Sequence, residues 1–237
     1  MAVPNMDITP AIRALHQKLI QYPESFAVVV VGPSGVGKTT MCRRVLNLNI
    51  DFKIRRCVTS TTRSKRQGEV DGIERRFISE EAFLLGIQQG IFVEHARVHG
   101  YWYGATLDAV FEALSDGHVM LMDVDVQGVE TWKQVLLDRC VTVFVLPPSI
   151  DILAERLHER QSETHEAFQL RMENAIQELQ KSGTCDYLIV NDVLDRAVDD
   201  LQVIIGAERH RTHRVRQLLF DLGVDLKDRS PSPCERV

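Results

Sequence analysis

The chain has 237 residues, 44% apolar and 26% charged, with a net charge of −5, an ordinary make-up for a globular protein of one large domain, or one domain with insertions. No apolar run approaches the ~18 residues needed to span a bilayer, and Met1 to Asp7 lacks the basic-then-apolar order of a secretory signal. The five cysteines (Cys42, Cys57, Cys140, Cys185, Cys234) are scattered, with no C-x-x-C pair and no zinc-type spacing, so reduced thiols in a cytoplasmic protein are expected.

In chain order, Thr9-Pro10 reads as N-cap and first residue of a helix with Ile12, Leu15 and Leu19 on one face. Ala27 to Val31 is an Ala/Val run that suits a strand buried on both faces. Gly32 to Gly37 is a turn, and Lys38 to Leu46 reads as a helix. Ile54 to Thr62 is extended and β-branched. Ser79 is an N-cap for a helix through Ile87, with Glu80 and Glu81 in its first turn. A helix from about Thr106 to Ser115 carries Leu107, Val110, Phe111 and Leu114 on one face.

Val119 to Val124 and Val141 to Leu146 are further strands, the second stopped by Pro147-Pro148. Ser149 caps a helix through about Glu159, and a longer helix covers roughly Glu163 to Lys181. Tyr187 to Val190 is a last short strand, and Leu194 to Ile205 carries a final helical stripe. Strands alternating with helices imply a parallel sheet covered on both faces. The stretches Thr62 to Thr106 and Ser149 to Arg171 break the alternation and read as insertions at the ligand edge of that sheet.

Charge is unevenly spread. Lys53, Arg55, Arg56, Arg63, Lys65, Arg66, Arg75 and Arg76 face only Glu69, Asp71 and Glu74 over the same stretch. Such a run is a solvated loop or a small-anion site. The acidic total, with no aromatic residues among the basic ones, argues against nucleic-acid binding. A second basic segment (Arg209, His210, Arg211, His213, Arg214, Arg216) lies past Ala207 and reads as a solvated helix, with self-association as a homodimer or contact with an acidic partner as alternatives. The Ser230-Pro-Ser-Pro tail has the composition of a disordered end.

Gly32-Pro33-Ser34-Gly35-Val36-Gly37-Lys38-Thr39 matches G-x-x-x-x-G-K-[ST]. Glycines let backbone N–H groups converge on phosphate oxygens, and the helix starting near Lys38 adds its positive end. Lys38 supplies a cation for the β/γ-phosphates, and Thr39 a hydroxyl for Mg²⁺. Val119 to Asp123 is an apolar strand ending in a carboxylate, the form of the second acidic motif of phosphate-loop enzymes, with Asp125 two residues on. The loop implies a bound nucleoside triphosphate and leaves the acceptor open. Asn191-Asp-Val-Leu is not the N-K-x-D base-reading motif usual in GTPases.

Three blocks follow the loop in the order seen in guanylate kinases, which the chain resembles from about Phe26 to Gly206. They are Val58 to Gly72, with Arg63, Arg66 and Glu69; Phe92-Val-Glu94-His-Ala with Gly100-Tyr-Trp-Tyr103-Gly104; and Leu121-Met-Asp123-Val-Asp125-Val-Gln127-Gly128. Pro147-Pro148-Ser149, Arg156, Arg160, Arg171 and Asn191-Asp192 come later. The resemblance implies a P-loop NTPase fold of the α/β class: a parallel sheet flanked by helices, with inserted GMP-binding (mixed α+β) and helical lid subdomains. It places a kinase domain at 25–207 between a helical extension (1–24) and a basic extension and tail (208–237). Within the domain the core would be 25–61, 107–148 and 172–207, the GMP-binding region 62–106 and the lid 149–171.

The family transfers phosphoryl from ATP to GMP with Mg²⁺, giving ADP and GDP. By position, Gly32 to Thr40 and Asn191 would hold ATP. Arg63, Arg66 and Tyr103 would hold the GMP phosphate, guanidinium forks being suited to a dianion. Glu94 would accept hydrogen bonds from guanine N1–H and N2–H₂. Asp123 would serve the base or the metal: the resemblance favours the base and the strand-end argument the metal. Thr39, with Asp123 or Asp125 through water, would form the Mg²⁺ site. Lys38 and the lid residues Arg156, Arg160 and Arg171 would meet the charge developing on the phosphoryl group. Three positions depart from the family pattern: Arg75 stands for a tyrosine that helps hold the GMP phosphate, Thr59 for a serine near guanine, and Ala105 for a hydroxyl residue. Arg75 either replaces the tyrosine with a charge-assisted bond or points to solvent. Two alternatives share the loop: a phosphopeptide-binding module of this fold, and a kinase for another phosphorylated acceptor.

Overall fold

A computed structural model describes residues 10–48, 53–66, 68–98, 100–158, 165–215, 219 and 221–224. Thr9, Glu159, Arg160, Glu163, Arg216, Cys234 and the Ser230-Pro-Ser-Pro tail lie outside the described residues.

The centre is strand β1 (Phe26–Val31), buried at every position. Its side chains alternate between two apolar layers. Ala27, Val29 and Val31 face one cluster; Phe26, Val28 and Val30 face the other. This is why an unbroken apolar run is a strand here: the pleat sends successive residues to opposite faces, and both faces are covered. Each fully buried valine contributes about 1.5–3 kcal/mol of transfer free energy.

The main sheet also contains β2 (Ile54–Arg56), β7 (Val119–Asp123), β8 (Cys140–Leu146) and β9 (Tyr187–Val190). Its order is β2-β7-β1-β8-β9, with every pairing parallel. Helix α1 (Pro10–Leu19), α4 (Leu107–Leu114) and α5 (Val129–Leu136) cover one face, bringing Leu15, Leu19, Val110, Leu114, Trp132 and Val135. Helix α2 (Lys38–Leu46) and α8 (Leu194–Arg209) cover the other with Met41, Val45, Val198, Leu201 and Ile205. From β1 the chain builds β2 and β7 on one side and then β8 and β9 on the other, so the strand order reverses at β1. The crevice at the carboxyl ends of these strands is where open α/β sheets bind ligands.

A second, smaller sheet sits beside that edge. It comprises β3 (Thr59–Thr61), β4 (Arg75–Phe77), β5 (Phe92–Val98) and β6 (Tyr101–Thr106), in the order β4-β3-β6-β5. Helix α3 (Glu80–Gln88) packs on it through Phe83, whose ring stacks on Phe92 at 4.3 Å. Ser79 caps α3 by accepting from Ala82 N at 3.2 Å, and Thr106 caps α4 by accepting from Ala109 N at 3.3 Å. Helices α6 (Ile150–His158) and α7 (His165–Leu179) contribute Leu153, Leu157 and Ala175 to a separate small cluster.

Two expectations need correction, the strand from Ile54 to Thr62 and the solvated placement of Arg214. Ile54 to Thr62 is not one strand: its first half joins the main sheet and its second half the smaller sheet. Extended, β-branched sequence predicts a strand but not its partner. Strand β3 belongs to the smaller sheet. Helix α7 ends at Leu179, close to the expected Lys181. Ile12, Leu15 and Leu19 belong to the main core, and Arg139 donates to Leu19, Tyr22 and Ser25 carbonyls behind α1. Arg214, expected on a solvated helix, is 2% exposed, with its guanidinium 4.2 Å from the Phe26 ring centroid.

Candidate active site

The loop between β1 and α2 is shaped by its glycines. Gly32 has φ 141°, and a Cβ there would lie 2.5 Å from the Val145 carbonyl oxygen. Gly37 caps α2 in the left-handed region at φ 99°. Lys38 Nζ donates to the carbonyls of Gly32 at 2.5 Å and Pro33 at 3.0 Å. Burial lowers the Lys38 pKa, opposed by the charges of Asp123, Glu178 and Asp125. Thr39 and Thr40 are exposed at the first turn of α2.

Asn191 lies behind this loop. It is 4% exposed and donates from Nδ2 to the Val36 carbonyl at 2.8 Å. Both terminal nitrogens of Arg156 donate to the Asn191 carbonyl at 3.1 Å. The pair braces the loop from β9 and α6 and does not line the cleft. Arg171 on α7 reaches the loop from the front, with Nη2 at 3.4 Å from Ser34 Oγ.

At the end of β7, register brings Asp123 level with Val30, next to the root of the loop. Both carboxylate oxygens of Asp123 are engaged. Oδ2 accepts from the Thr39 hydroxyl at 2.7 Å, and Oδ1 from Arg56 Nη2 at 2.9 Å. Burial pushes the Asp123 pKa up, but Arg56, Arg75, Thr39 and Lys38 outweigh it and hold the carboxyl below its ordinary value. Asp123 thus lies beside the phosphate loop, while the charge of Asp125 acts on both Lys38 and Glu94.

Glu94 projects from β5 opposite Ala105 of β6. Burial first, and the Asp125 charge second, push its pKa up to about 7. A Cβ on Gly128 would lie 3.6 Å from Glu94 Oε1, so the chain passes close to this carboxylate without a side chain. No hydrogen bond to Glu94 is made by the described side chains. A half-buried carboxylate without a protein partner is costly.

Arg75 points inward, not to solvent. Its Nη1 donates to Thr59 Oγ1 at 2.5 Å, and its guanidinium lies 5.4 Å from the Tyr103 ring centroid. Arg66 also lines the cleft. Arg63 is placed differently: its fork is taken by Glu69, at 2.7 and 2.5 Å, and it stacks over Phe77. Glu69 also accepts from Arg66 N at 2.8 Å, so this ion pair shapes the loop that carries Arg66.

One cleft of about 750 Å³ joins these groups. It runs from Gly32, Lys38 and Thr39 past Asp123 and Asp125 to Arg66, Arg75, Glu94 and Tyr103. Two groups in and behind it were missed from the sequence. Glu178 of α7 faces Lys38 from the lid side. Arg56 stands behind Asp123. The basic run from Lys53 to Arg76 contained Arg56, but charge spacing does not distinguish a buried guanidinium from its exposed neighbours.

The switch-point crevice, the glycine loop running into α2, and a carboxylate at the end of the adjacent strand define a P-loop NTPase fold. The family model for guanylate kinase matches residues 24–208. A guanylate kinase of Syntrophotalea carbinolica is 40% identical over 205 residues, covering 85% of this chain and 95% of the relative. One of Symbiobacterium thermophilum is 43% identical over 192 residues, covering 81% and 90%. The crystal structure of guanylate kinase from Anaplasma phagocytophilum superimposes with a TM-score of 0.67 at 26% identity, covering 85% of this chain and 97% of that one. The chain belongs to the guanylate kinase family.

Proposed function

We propose that this protein transfers the terminal phosphoryl group of ATP to GMP, giving ADP and GDP. The single observation that carries the reading is the continuity of one cleft from the Lys38 loop to the Glu94 and Arg75 pocket. Two anionic substrates can then meet end to end in it.

The donor half is the loop. Its backbone N–H groups and the N-terminus of α2 receive the ATP phosphates. Lys38, which donates to the Gly32 and Pro33 carbonyls, would exchange them for the β/γ-phosphates. Arg171 approaches from α7 beside Ser34, where it can meet charge developing on the transferring group. Arg156 and Asn191 brace the loop from behind and bear on ATP through it.

The acceptor half reads GMP at both ends. Arg66, Arg75 and Tyr103 face the phosphate, and Thr59 orients Arg75. Glu94, once ionised, accepts from guanine N1–H and N2–H₂, a donor pair that adenine lacks. The Arg63–Glu69 pair supports the loop carrying Arg66.

The residues also fit Mg²⁺. Among the described residues no cluster of three or more His, Cys, Asp or Glu could hold a metal by itself. Mg²⁺ at nucleotide sites needs no such cage: it takes one or two protein oxygens, with phosphates and waters supplying the rest. Thr39 Oγ1 and Asp123 Oδ2, 2.7 Å apart, are such oxygens. When bound, the ion neutralises charge on the β- and γ-phosphate oxygens. Positioning and charge are the chain's own contribution, since phosphoryl transfer asks little covalent chemistry of the protein. No helix among the described residues is long and apolar enough to cross a membrane. The four described cysteines are free thiols, which suits a reducing cytoplasmic setting.

A coupled assay with ATP, Mg²⁺ and each nucleoside monophosphate in turn tests the reading. ADP and GDP should form in equal amounts with GMP. ADP formation no faster than hydrolysis without acceptor overturns it.

A further inference from the structure

Arg56 ends β2, the edge strand of the main sheet. Its side chain is 15% exposed and that of its partner Asp123 is 9% exposed, so the pair is largely removed from water. A buried ion pair is weak grounds for stability, because the desolvation of two charges offsets most of their attraction. Its consequence here is geometric. Arg56 Nη2 holds Asp123 Oδ1 at 2.9 Å, which turns Oδ2 toward Thr39 Oγ1 at 2.7 Å. A carboxylate free to rotate would lose that aim.

Arg56 does not line the substrate cleft. It borders a small recess adjoining the cleft, with Cys57, Thr59, Arg75, Met122 and Asp123. It is therefore placed to act on Asp123 and not on either substrate. Arg75, which lines the cleft, adds a second positive charge that acts on the same carboxylate. Arg75 is itself bonded to Thr59 and belongs to the acceptor side, whereas Arg56 makes its side-chain bond to Asp123.

We propose that Arg56 is a positioning residue for the metal side of the donor site: its bond to Asp123 Oδ1 aims Oδ2 at the Thr39 hydroxyl. The inference rests on the kinase reading above and on Mg²⁺ as the ion that accompanies ATP. Hydrogen-bond partners standing behind metal ligands commonly affect metal affinity by 10–100-fold.

The test measures Mg²⁺ dependence in two ways: the Mg²⁺ concentration giving half-maximal turnover, and the gain in ATP affinity on adding Mg²⁺, read by calorimetry without GMP. Arg56→Met should raise the first on the order of tenfold and shrink the second to match. The KM for GMP at saturating Mg²⁺ should change by less than about twofold, since Arg56 acts behind the ligand and not on the acceptor. Arg56→Lys keeps the charge without the fork and should fall between wild type and Arg56→Met. In an Asp123→Asn background the same Arg56→Met change should add nothing, because the two residues act as one unit. An unchanged Mg²⁺ dependence, an effect confined to the GMP KM, or equal effects in both backgrounds overturns the inference. If Arg56→Met does not fold, Arg56→Lys decides: no rise in the Mg²⁺ requirement overturns the inference. Failure of the underlying reading looks different: the wild-type protein itself would form no GDP, or bind ATP no better with Mg²⁺.

Discussion

Arg75 Nη1 donates to the Thr59 hydroxyl at 2.5 Å. The bond fixes a guanidinium inside the acceptor pocket, at a position where the family pattern has a tyrosine. Burial lowers the Arg75 pKa, with the Asp123 charge in opposition, so this cation is held at a cost that a dianionic ligand can offset. Arg75→Met should raise the KM for GMP by about 10–100-fold, matching the ~1.5–3 kcal/mol of a charged hydrogen bond. The KM for ATP should stay near wild type. Arg75→Tyr should recover part of the loss. Steady-state kinetics with each substrate varied checks this, and equal losses for ATP and GMP would falsify the assignment.

Glu94 links stability to binding through pH. Its pKa is pushed from 4.5 to about 7 in the folded protein. The folded state therefore holds the proton more tightly than the unfolded state. Below pH 4.5 both states are protonated and Glu94 costs nothing; as pH rises toward 7 the unfolded state ionises first and stability falls. Glu94→Gln should therefore melt higher than wild type at pH 8, with the gap closing near pH 4.5. Binding has the opposite sense, because guanine needs the ionised form. For wild type, kcat/KM for GMP should fall as pH drops through about 7. Glu94→Gln should lack that limb and retain only the one due to the substrate phosphate, which titrates near pH 6. Melting curves at the two pH values and a pH–rate profile are the measurements.

Gly37→Ala tests the loop. The residue sits at φ 99°, and an added Cβ would run into the Asn191 amide nitrogen. Asn191 cannot retreat without giving up its bond to Val36 O, or the Arg156 contacts on its own carbonyl. The variant should lose about 1–3 kcal/mol of stability from backbone strain. It should also bind ATP at least tenfold more weakly while keeping its affinity for GMP, since the acceptor pocket is on the other sheet. Calorimetric titration of each nucleotide separates the two effects.

Arg214→Ala tests the C-terminal anchor. The guanidinium donates to Glu208 O at 3.0 Å, to Asp138 O at 3.3 Å and to Glu208 Oε2 at 3.3 Å. Glu208 would keep its contact with Arg211 at 2.8 Å but would remain buried beside a cavity over Phe26. The loss should be about 3 kcal/mol, the order expected on breaking a buried pair. Turnover by the folded protein at low temperature should not change. Urea denaturation with an unaltered midpoint would show that the segment is no anchor.

Much of the fold was legible because its signals are local. The β1 run, the Ser79 cap, the Lys38–Leu46 helix and the Tyr187–Val190 strand all came from periodicity and capping that involve neighbours in the chain. What escaped was pairing. The segment Ile54 to Thr62 divides between two sheets, and Arg214 leaves a basic run to stack on Phe26, through contacts with residues far along the chain. Charge runs likewise hide their buried members: Arg56 and Arg55 are adjacent, yet one pairs with Asp123 and the other bonds the Glu112 carbonyl.

The phosphate loop needed no structure to be recognised, because its function depends on glycine freedom and on Lys38 and Thr39 at fixed short offsets. By itself that determined a triphosphate site, and the later blocks pointed to GMP as acceptor. Only the tertiary structure shows what holds Asp123. Parallel register with β1 sets it beside Thr39, and Arg56 ties its second oxygen, while the charge of Asp125 is felt by both Lys38 and Glu94. Strand-end sequence places two acids two residues apart; what fixes Asp123 is a set of partners that only folding brings within a hydrogen bond.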